Sequence, residues 1–367
     1  MDKKKILIVC QGFYPLNSPR AHRATELAKE FALQGHEVTV LTPKDPKIHN
    51  SFEKEHGITI KDLGKLTWRS LDFGTSKFGN ILTRAFYRLL SLTFEYPAIQ
   101  MMFLAKRALK NQKGFDLLIS IAVPYPIHWG VAKAWNKKQS IAKTWVADCG
   151  DPYMGCETDS FKKLFYFKYV EKWFMRKADY ISIPVESARS GYYGEFQGKI
   201  KIIPQGFKFD VIKGPDESVQ NDIPTFAYAG GFIPNIRDPR PFLDYLYKFE
   251  GDFKFIVYTN TPALLASYNL KLNGKLEVRE YIPRKDLLEV LSRMDFLVNF
   301  DNNTGVQLPS KLIDYALADR PVLNIKAEVE PEVIGEFLNG DYSGKFKLGN
   351  IQKYNIENVV KQFLALL

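Results

Sequence analysis

Short, almost uninterrupted apolar runs alternate along this chain with longer segments whose apolar residues recur every third or fourth position. Lys5–Cys10 and Glu37–Thr42 are runs of the first kind. Between them, from Pro19 to about Gln34, Ala24, Leu27, Ala28 and Phe31 fall at i, i+3, i+4 and i+7 and share one helix face. Ser18 ahead of Pro19 is a helix start, a side-chain cap followed by a proline whose missing N–H costs nothing there. Gly35 closes the helix. A strand, a helix and a second buried strand make a βαβ unit, which implies a parallel sheet. Further buried strands are predicted at Leu117–Ala122, Thr144–Ala147, Tyr180–Pro184 and Lys201–Ile203. The polar stretch from Gly206 to Thr225 has no apolar period and reads as a linker.

The alternation then restarts. Strands are predicted at Phe226–Ala229, Phe253–Tyr258, Leu276–Arg279, Phe296–Phe300 and Val322–Ile325. Helices are predicted from Asp238-Pro239 to about Phe249, over Arg284–Arg293 with Leu287, Leu288 and Leu291 inward, and over Pro309–Ala318. The pattern predicts two doubly wound α/β domains, 1–205 and 226–367, joined by 206–225. In such sheets ligands sit at the carboxyl ends of the strands, and with two facing domains that means a central cleft.

Composition adds charge to this picture. The 367 residues carry a formal net charge of +10, distributed unevenly: residues 1–200 hold 31 Lys and Arg against 19 Asp and Glu, while the rest hold 20 against 22. Residues 65–113 contain nine basic and two acidic residues interleaved with Trp68, Phe73, Phe78, Phe86, Tyr87, Phe94, Tyr96 and Phe103. Such a stretch suits an anionic surface, and equally a helix pair with its aromatics inward and its cations solvated. Three cysteines, Cys10, Cys149 and Cys156, form neither a disulfide framework nor a zinc motif. No apolar run is long enough to cross a membrane and no signal peptide is legible, so a cytoplasmic protein is expected.

The loop after the first strand, Gln11-Gly12-Phe13-Tyr14-Pro15-Leu16-Asn17, has one glycine. It lacks both the dinucleotide fingerprint and a P-loop, and there is no nucleophile elbow elsewhere. A dehydrogenase, a P-loop kinase and an α/β-hydrolase are thereby disfavoured.

The opening QGFYPLNSPRAHRATELAKEFALQGHEVTVLTP resembles the first βαβ unit of family-four glycosyltransferases of GT-B architecture. VPYPIHWGVAKAW, WVADCGDPY and ADYISIPVESARSGYYGEF followed by IKIIPQGFKFD are similar to later segments of the same family, in order. FAYAGGFIPNIRDPRPFLDYL and QLPSKLIDYALADRPVL resemble its two nucleotide-contacting motifs. Only residues from about 45 to 110 fall outside the likeness. It implies two Rossmann-like domains facing a cleft, an acceptor-binding N-terminal domain, a C-terminal domain for a nucleoside diphosphate sugar, and sugar transfer with retention and without a metal or resident cofactor. A glycan or lipid-linked acceptor, work at the inner membrane face, and surface polysaccharide or glycoconjugate synthesis go with it; nucleic acid is not an expected partner.

A leaving pyrophosphate must be stabilised by helix N-termini and cations. Arg237, after the Gly230-Gly231 strand end, and Lys311, in a helix's first turn where a cation opposes the macrodipole, are the candidates. Gly12, Gly230, Gly231 and Gly305 allow close backbone approach, with ordinary loop glycines as the alternative. The resemblance places Ser310 and Asp314 at the donor, Asp314 on the ribose hydroxyls, Tyr281 and Ile282 at the base, and His128 against the sugar and phosphate. It places Asp151 at the acceptor, where a turn-forming role competes. Arg20 and Arg23 suit an anionic acceptor, or a solvated helix face. The family pattern of two glutamates with seven residues between them is departed from: the first is Val306 and the second Asp314, with Asp301 a possible substitute, and Gly150 stands where an arginine is usual. A sugar-nucleotide epimerase of the same architecture and a non-catalytic carbohydrate- or nucleotide-binding relative are the competing readings.

Overall fold

A computed structural model describes residues 2–68, 77–136, 141–155, 163–209, 220–301, 310–326, 328–347 and 349–367, with backbone only for 77–82 and Ser310. Two units form: residues 1–208 with 353–367, and residues 209–352.

The first unit holds seven strands, β1 (Lys5–Cys10), β2 (Glu37–Thr42), β3 (Thr59–Asp62), β4 (Phe115–Ile121), β5 (Ala142–Asp148), β6 (Tyr180–Ile183) and β7 (Ile200–Ile202). Their order is β3-β2-β1-β4-β5-β6-β7, with every described pairing parallel. The order reverses between β1 and β4, the topological switch point at which doubly wound sheets bind ligands. The register sets Ile8 beside Val40 on one side and Ile119 on the other. All three are buried, as parallel strands covered on both faces require. The helices are α1 (Pro19–Leu33), α2 (Pro46–His56), α3 (Lys77–Phe94), α4 (Gln100–Leu109), α5 (Pro126–Ala134) and α6 (Phe167–Lys177).

α1 begins as its sequence predicts: Ser18 Oγ accepts from Ala21 N at 3.3 Å and Pro19 takes the first turn. α2 and β3 carry no sequence-based prediction, yet their signals are local. Asp45 caps α2 by accepting from Lys47 N at 3.0 Å, and Gly57 ends it at φ +64°, a conformation that favours glycine.

The second unit is a five-stranded parallel sheet of β8 (Thr225–Ala229), β9 (Lys254–Tyr258), β10 (Leu276–Arg279), β11 (Phe296–Phe300) and β12 (Val322–Ile325), ordered β10-β9-β8-β11-β12. Its helices are α7 (Arg240–Lys248), α8 (Ala266–Lys271), α9 (Arg284–Leu291), α10 (Ser310–Ala318) and α11 (Pro331–Leu338). Phe226 is in register with Phe255 on one neighbour and Phe296 on the other, and the three buried rings stack at 4.9 and 4.5 Å. Adjacent strands lie nearly that distance apart, so one aromatic row welds the centre of the sheet.

One boundary needs correction. The second domain was expected to run to residue 367, but α12 (Ile356–Leu364) belongs to the first unit. Ile356, Val359, Val360 and Phe363 are buried in the same cluster as Ile6, Ile8, Ala24 and Phe31. The open face of α1 supplies the reason: it needs an apolar cover, and α12 provides one. Gly206 marks the contact, since a Cβ there would come within 2.3 Å of Ile356. Residues 210–219 of the expected linker, residues 69–76 of the basic stretch, Cys156, Gly305 and Val306 lie outside the described residues.

Candidate functional site

In the first unit, Gly12, Arg20, Arg23, His128 and Asp151 all come to the carboxyl end of the sheet, around β1, β4 and β5. A Cβ on Gly12 would lie 3.3 Å from the Ala21 Cβ, so the glycine lets α1 pack close to the end of β1.

The two arginines are not on a solvated face: Arg23 is buried and Arg20 part-buried, and both turn to one carboxylate. Arg23 is buried and grips Asp148 with two nitrogens, Nε to Oδ2 at 2.9 Å and Nη2 to Oδ1 at 2.7 Å. It also donates to the carbonyls of Ile203 and Pro204. Arg20 reaches the same carboxylate at 2.5 Å and donates to the carbonyls of Ala122 and Asp148. Ser182 Oγ adds a 2.6 Å bond to Asp148 Oδ1. Burial alone would push the Asp148 carboxyl up, but the two guanidinium groups and the Ser182 hydroxyl hold it down at about 2. The carboxylate therefore stays ionised, and the cluster ties α1 to the ends of β4, β5 and β7. Sequence spacing hid this partnership, because Asp148 lies 125 residues beyond Arg23.

His128 was expected to face a sugar. Its ring instead has no solvent exposure. Nδ1 lies 2.8 Å from Ser120 Oγ, Nε2 lies 3.6 Å from Cys149 Sγ, and the ring stacks on Phe174 at 5.1 Å. Ser120 Oγ also accepts from Trp145 Nε1 at 2.8 Å, which completes a buried polar chain between β4, β5 and α5. Burial pushes the His128 imidazole down to about 3, so the ring stays neutral at ordinary pH. Asp151 is exposed in the loop after β5, where its carbonyl accepts from Tyr125 Oη at 2.5 Å.

The second unit presents the opposite arrangement. β8 ends in Gly230, at φ +154°, and Gly231. A Cβ on Gly230 would lie 2.9 Å from Tyr228 Oη, so the glycine lets the chain fold back over that ring. Lys311, in the first turn of α10, puts its ammonium 4.5 Å from the Tyr228 ring centroid and 3.4 Å from Tyr228 Oη. Arg237 stands close enough to act electrostatically on Tyr228, Lys311 and Tyr281, and its buried Nε has no hydrogen-bond partner. Among the described residues, neither cation makes an ion pair with a carboxylate. Burial first, and Arg237 second, lower Lys311 to about 7, against a smaller opposing pull from Asp301.

The remaining candidates divide. Tyr281 is half exposed with its hydroxyl 3.5 Å from Asn260 Oδ1, and Ile282 packs beneath against the core. Asp314, expected on ribose hydroxyls, has its Oδ1 bonded to Arg284 Nε at 2.7 Å. Burial raises its carboxyl and Arg284 partly offsets that. Ser310 opens α10. Two residues of this candidate site were not singled out in the sequence. Tyr228 read only as strand core, and Arg284 stood unremarked one residue after the Tyr281-Ile282-Pro283 turn. Nearby, at the carboxyl ends of β11 and β12, Asn235, Asp238, Asp301 and Lys326 surround a pocket of about 270 Å³. That is below the roughly 300–1,000 Å³ that encloses a drug-sized ligand, so it suits one polar moiety of a larger molecule.

Comparison with known proteins places this architecture. The model for Glycosyltransferase Family 4 matches residues 21–210, just over half of the chain. A glycosyltransferase from Rickettsia africae superposes with a TM-score of 0.63 at 12% identity, covering 100% of this chain and 98% of that one. HepE from Anabaena, solved in complex with UDP, gives 0.61 at 10% identity, with 98% of both chains covered. TarM from S. aureus, a mutant solved with fondaparinux, alpha-GlcNAc-glycerol and UDP, gives 0.59 at 11%, covering 99% of each. No curated protein sequence matches the chain. The shared fold is GT-B, two parallel-sheet units of which this chain builds one from seven strands and one from five. The chain belongs to glycosyltransferase family 4.

Proposed function

We propose that this glycosyltransferase moves a sugar, with retention and without a metal, from a nucleoside diphosphate sugar to a glycan or lipid-linked acceptor. One observation carries the reading: Lys311 lies over the Tyr228 ring with Arg237 beside it, and among the described residues neither makes an ion pair with a carboxylate. Two partly buried cations left uncompensated are unfavourable unless an anion completes them. A diphosphate supplies that anion, and the first turn of α10 adds its N–H groups. HepE, of the same fold, was solved with UDP and with UDP-glucose, which supports a uridine donor.

The chemistry follows from the charges. When the glycosidic bond to the phosphate breaks, negative charge accumulates on the leaving diphosphate, and Lys311 and Arg237 are positioned to stabilise it. No side chain acts as a nucleophile in this scheme. The acceptor hydroxyl approaches from the leaving-group side and passes its proton to the departing phosphate, while the protein contributes position and charge. Arg20, Arg23 and His128 hold the strand ends that frame the acceptor side.

Thermal-shift and calorimetric titration with UDP, GDP, ADP and dTDP sugars tests the donor, because a ligand of the native state raises stability by mass action. Binding of at least one, lost in Lys311→Met, is expected; no binding to any overturns the reading. Val306 in place of the first glutamate, and Asp314 tied to Arg284, favour a second reading, a non-catalytic binding relative. Donor turnover that depends on an acceptor excludes it, and excludes an epimerase as well.

A further inference from the structure

We propose that an apolar groove on the first unit docks the protein on an anionic lipid bilayer, with a lipid hydrocarbon chain lying against Trp68, Phe94 and Phe103. The groove, of about 510 Å³, is walled by α3, α4, α5 and α6 and lined almost wholly by carbon, including Leu90, Trp129 and Phe167. A cavity of this chemistry gives water no partners and takes up hydrocarbon instead. Its lining is unusually exposed for apolar residues, Phe94 at 62%, Phe103 at 49% and Trp68 at 42%, and α3 adds Leu89 at 57% and Phe86 at 56%. Contiguous exposed aromatics of this kind mark an interaction site.

Charge names the occupant. Residues 77–113 contain seven basic residues and one acidic residue, Glu95. Glu95 is turned inward, bound by Lys163 and by Tyr153 Oη at 2.7 Å. Arg84 and Arg88 on α3, and Lys106, Arg107 and Lys110 on and just after α4, are all exposed. On α6 the one acidic residue, Glu171, is buried, while Lys172 and Arg176 pair with Glu195 and leave that helix one charge in excess beside Lys168. A second copy of this chain would set like charge against like charge across the same face, and an apolar segment of a neutral protein would meet none of the excess positive charge. Anionic headgroups with hydrocarbon beneath them satisfy both features at once. The inference does not rest on the transfer reaction, and it is read without donor or acceptor.

The test is co-flotation of the full chain with vesicles of pure phosphatidylcholine, or of phosphatidylcholine mixed with phosphatidylglycerol, at low salt and at about 1 M salt, where the Debye length falls to about 3 Å. The mixed vesicles should bind, high salt should release most of the protein, and Lys106→Ala with Lys110→Ala should weaken binding about 25-fold, roughly fivefold per cation. Phe86→Glu with Leu89→Glu, both at exposed positions, should abolish binding without shifting the melting temperature. Brominated acyl chains should quench tryptophan fluorescence in the wild type and less in Trp68→Phe, which separates a chain in the groove from attachment at the surface. Three results overturn the proposal: no flotation, flotation indifferent to lipid charge and salt, or flotation without quenching. Concentration-dependent dimerisation that Phe86→Glu removes would assign the face to a second copy and overturn it too.

Discussion

Both units carry a pair of cations at the carboxyl end of a parallel sheet, and the two pairs have opposite electrostatics. Arg20 and Arg23 surround one carboxylate, and several carbonyls absorb their remaining donors. Lys311 has an aromatic ring beneath it, Arg237 stands by the same tyrosine, and neither has a carboxylate in an ion pair among the described residues. The first pair is complete and the second is not. Position on the fold is the same in both cases, so the presence of a paired carboxylate in one and not in the other is what separates them.

The largest effect should come from breaking the complete pair. Asp148→Ala leaves Arg23 buried without a counter-charge and is expected to cost about 3–5 kcal/mol of stability, measured by denaturant titration. A change below about 1 kcal/mol would mean the cluster is not what holds α1 to β5. The incomplete pair should respond the other way. Arg237→Met and Lys311→Met should leave the melting temperature unchanged or raised, since each removes an uncompensated charge. Each should also weaken binding of the donor nucleotide by about 1.5–3 kcal/mol, the worth of a hydrogen bond to a charged group. Calorimetry on both variants sharpens the contrast, and destabilised variants with intact affinity would reverse it.

A third prediction concerns Glu171, which burial raises to about 7 although Tyr193 Oη and the Tyr153 N–H bond to it. Its folded value lies above the ordinary value of 4.5, so the folded state holds the extra proton between those limits. The stabilisation this gives is complete below about 4.5 and is lost as pH rises through about 7. Melting temperatures across that window should fall with rising pH in the wild type and stay flatter in Glu171→Gln. The smallest effect is a proton count. Lys311 sits at about 7 in the free protein, and a bound diphosphate favours its charged form. Donor binding at a pH about one unit above that value should take up close to one proton, and below pH 6 or so almost none. Binding heats in buffers of different ionisation enthalpy report the uptake, and Lys311→Met should erase it.

The strands were legible in the sequence because parallel strands buried on both faces are plain apolar runs, and α1 was legible because Ser18, Pro19 and Gly35 punctuate it. The family likeness was legible from six segments in order. What escaped was where amphipathic pieces go. The pattern Ile356, Val359, Val360, Phe363 announces a helix with one apolar face but carries no address, and the face of α1 that receives it lies more than 320 residues earlier. Arg23 escaped for the same reason: nothing near it in sequence says that Asp148 will arrive. Tyr228 escaped because a tyrosine in an apolar strand looks like core until Gly230 folds over it and Lys311 approaches.

The homing of α12 to the first unit has a consequence for how the chain is made. Phe207 and Asn355 sit side by side as a parallel bridge, Phe207 N donating to Tyr354 O at 2.8 Å and Ile356 N to Phe207 O at 2.9 Å. The second unit is thus inserted into the first, with its way in and its way out stitched together. A ribosome delivers residues 1–208 first, then the 144 residues of the inserted unit, and only afterwards the helix that covers α1. At about 5–20 residues per second the apolar flank of α1 waits roughly 7–30 s for its cover. During synthesis the unit begun first is therefore the last to be finished, and that flank is where a chaperone would find the nascent chain.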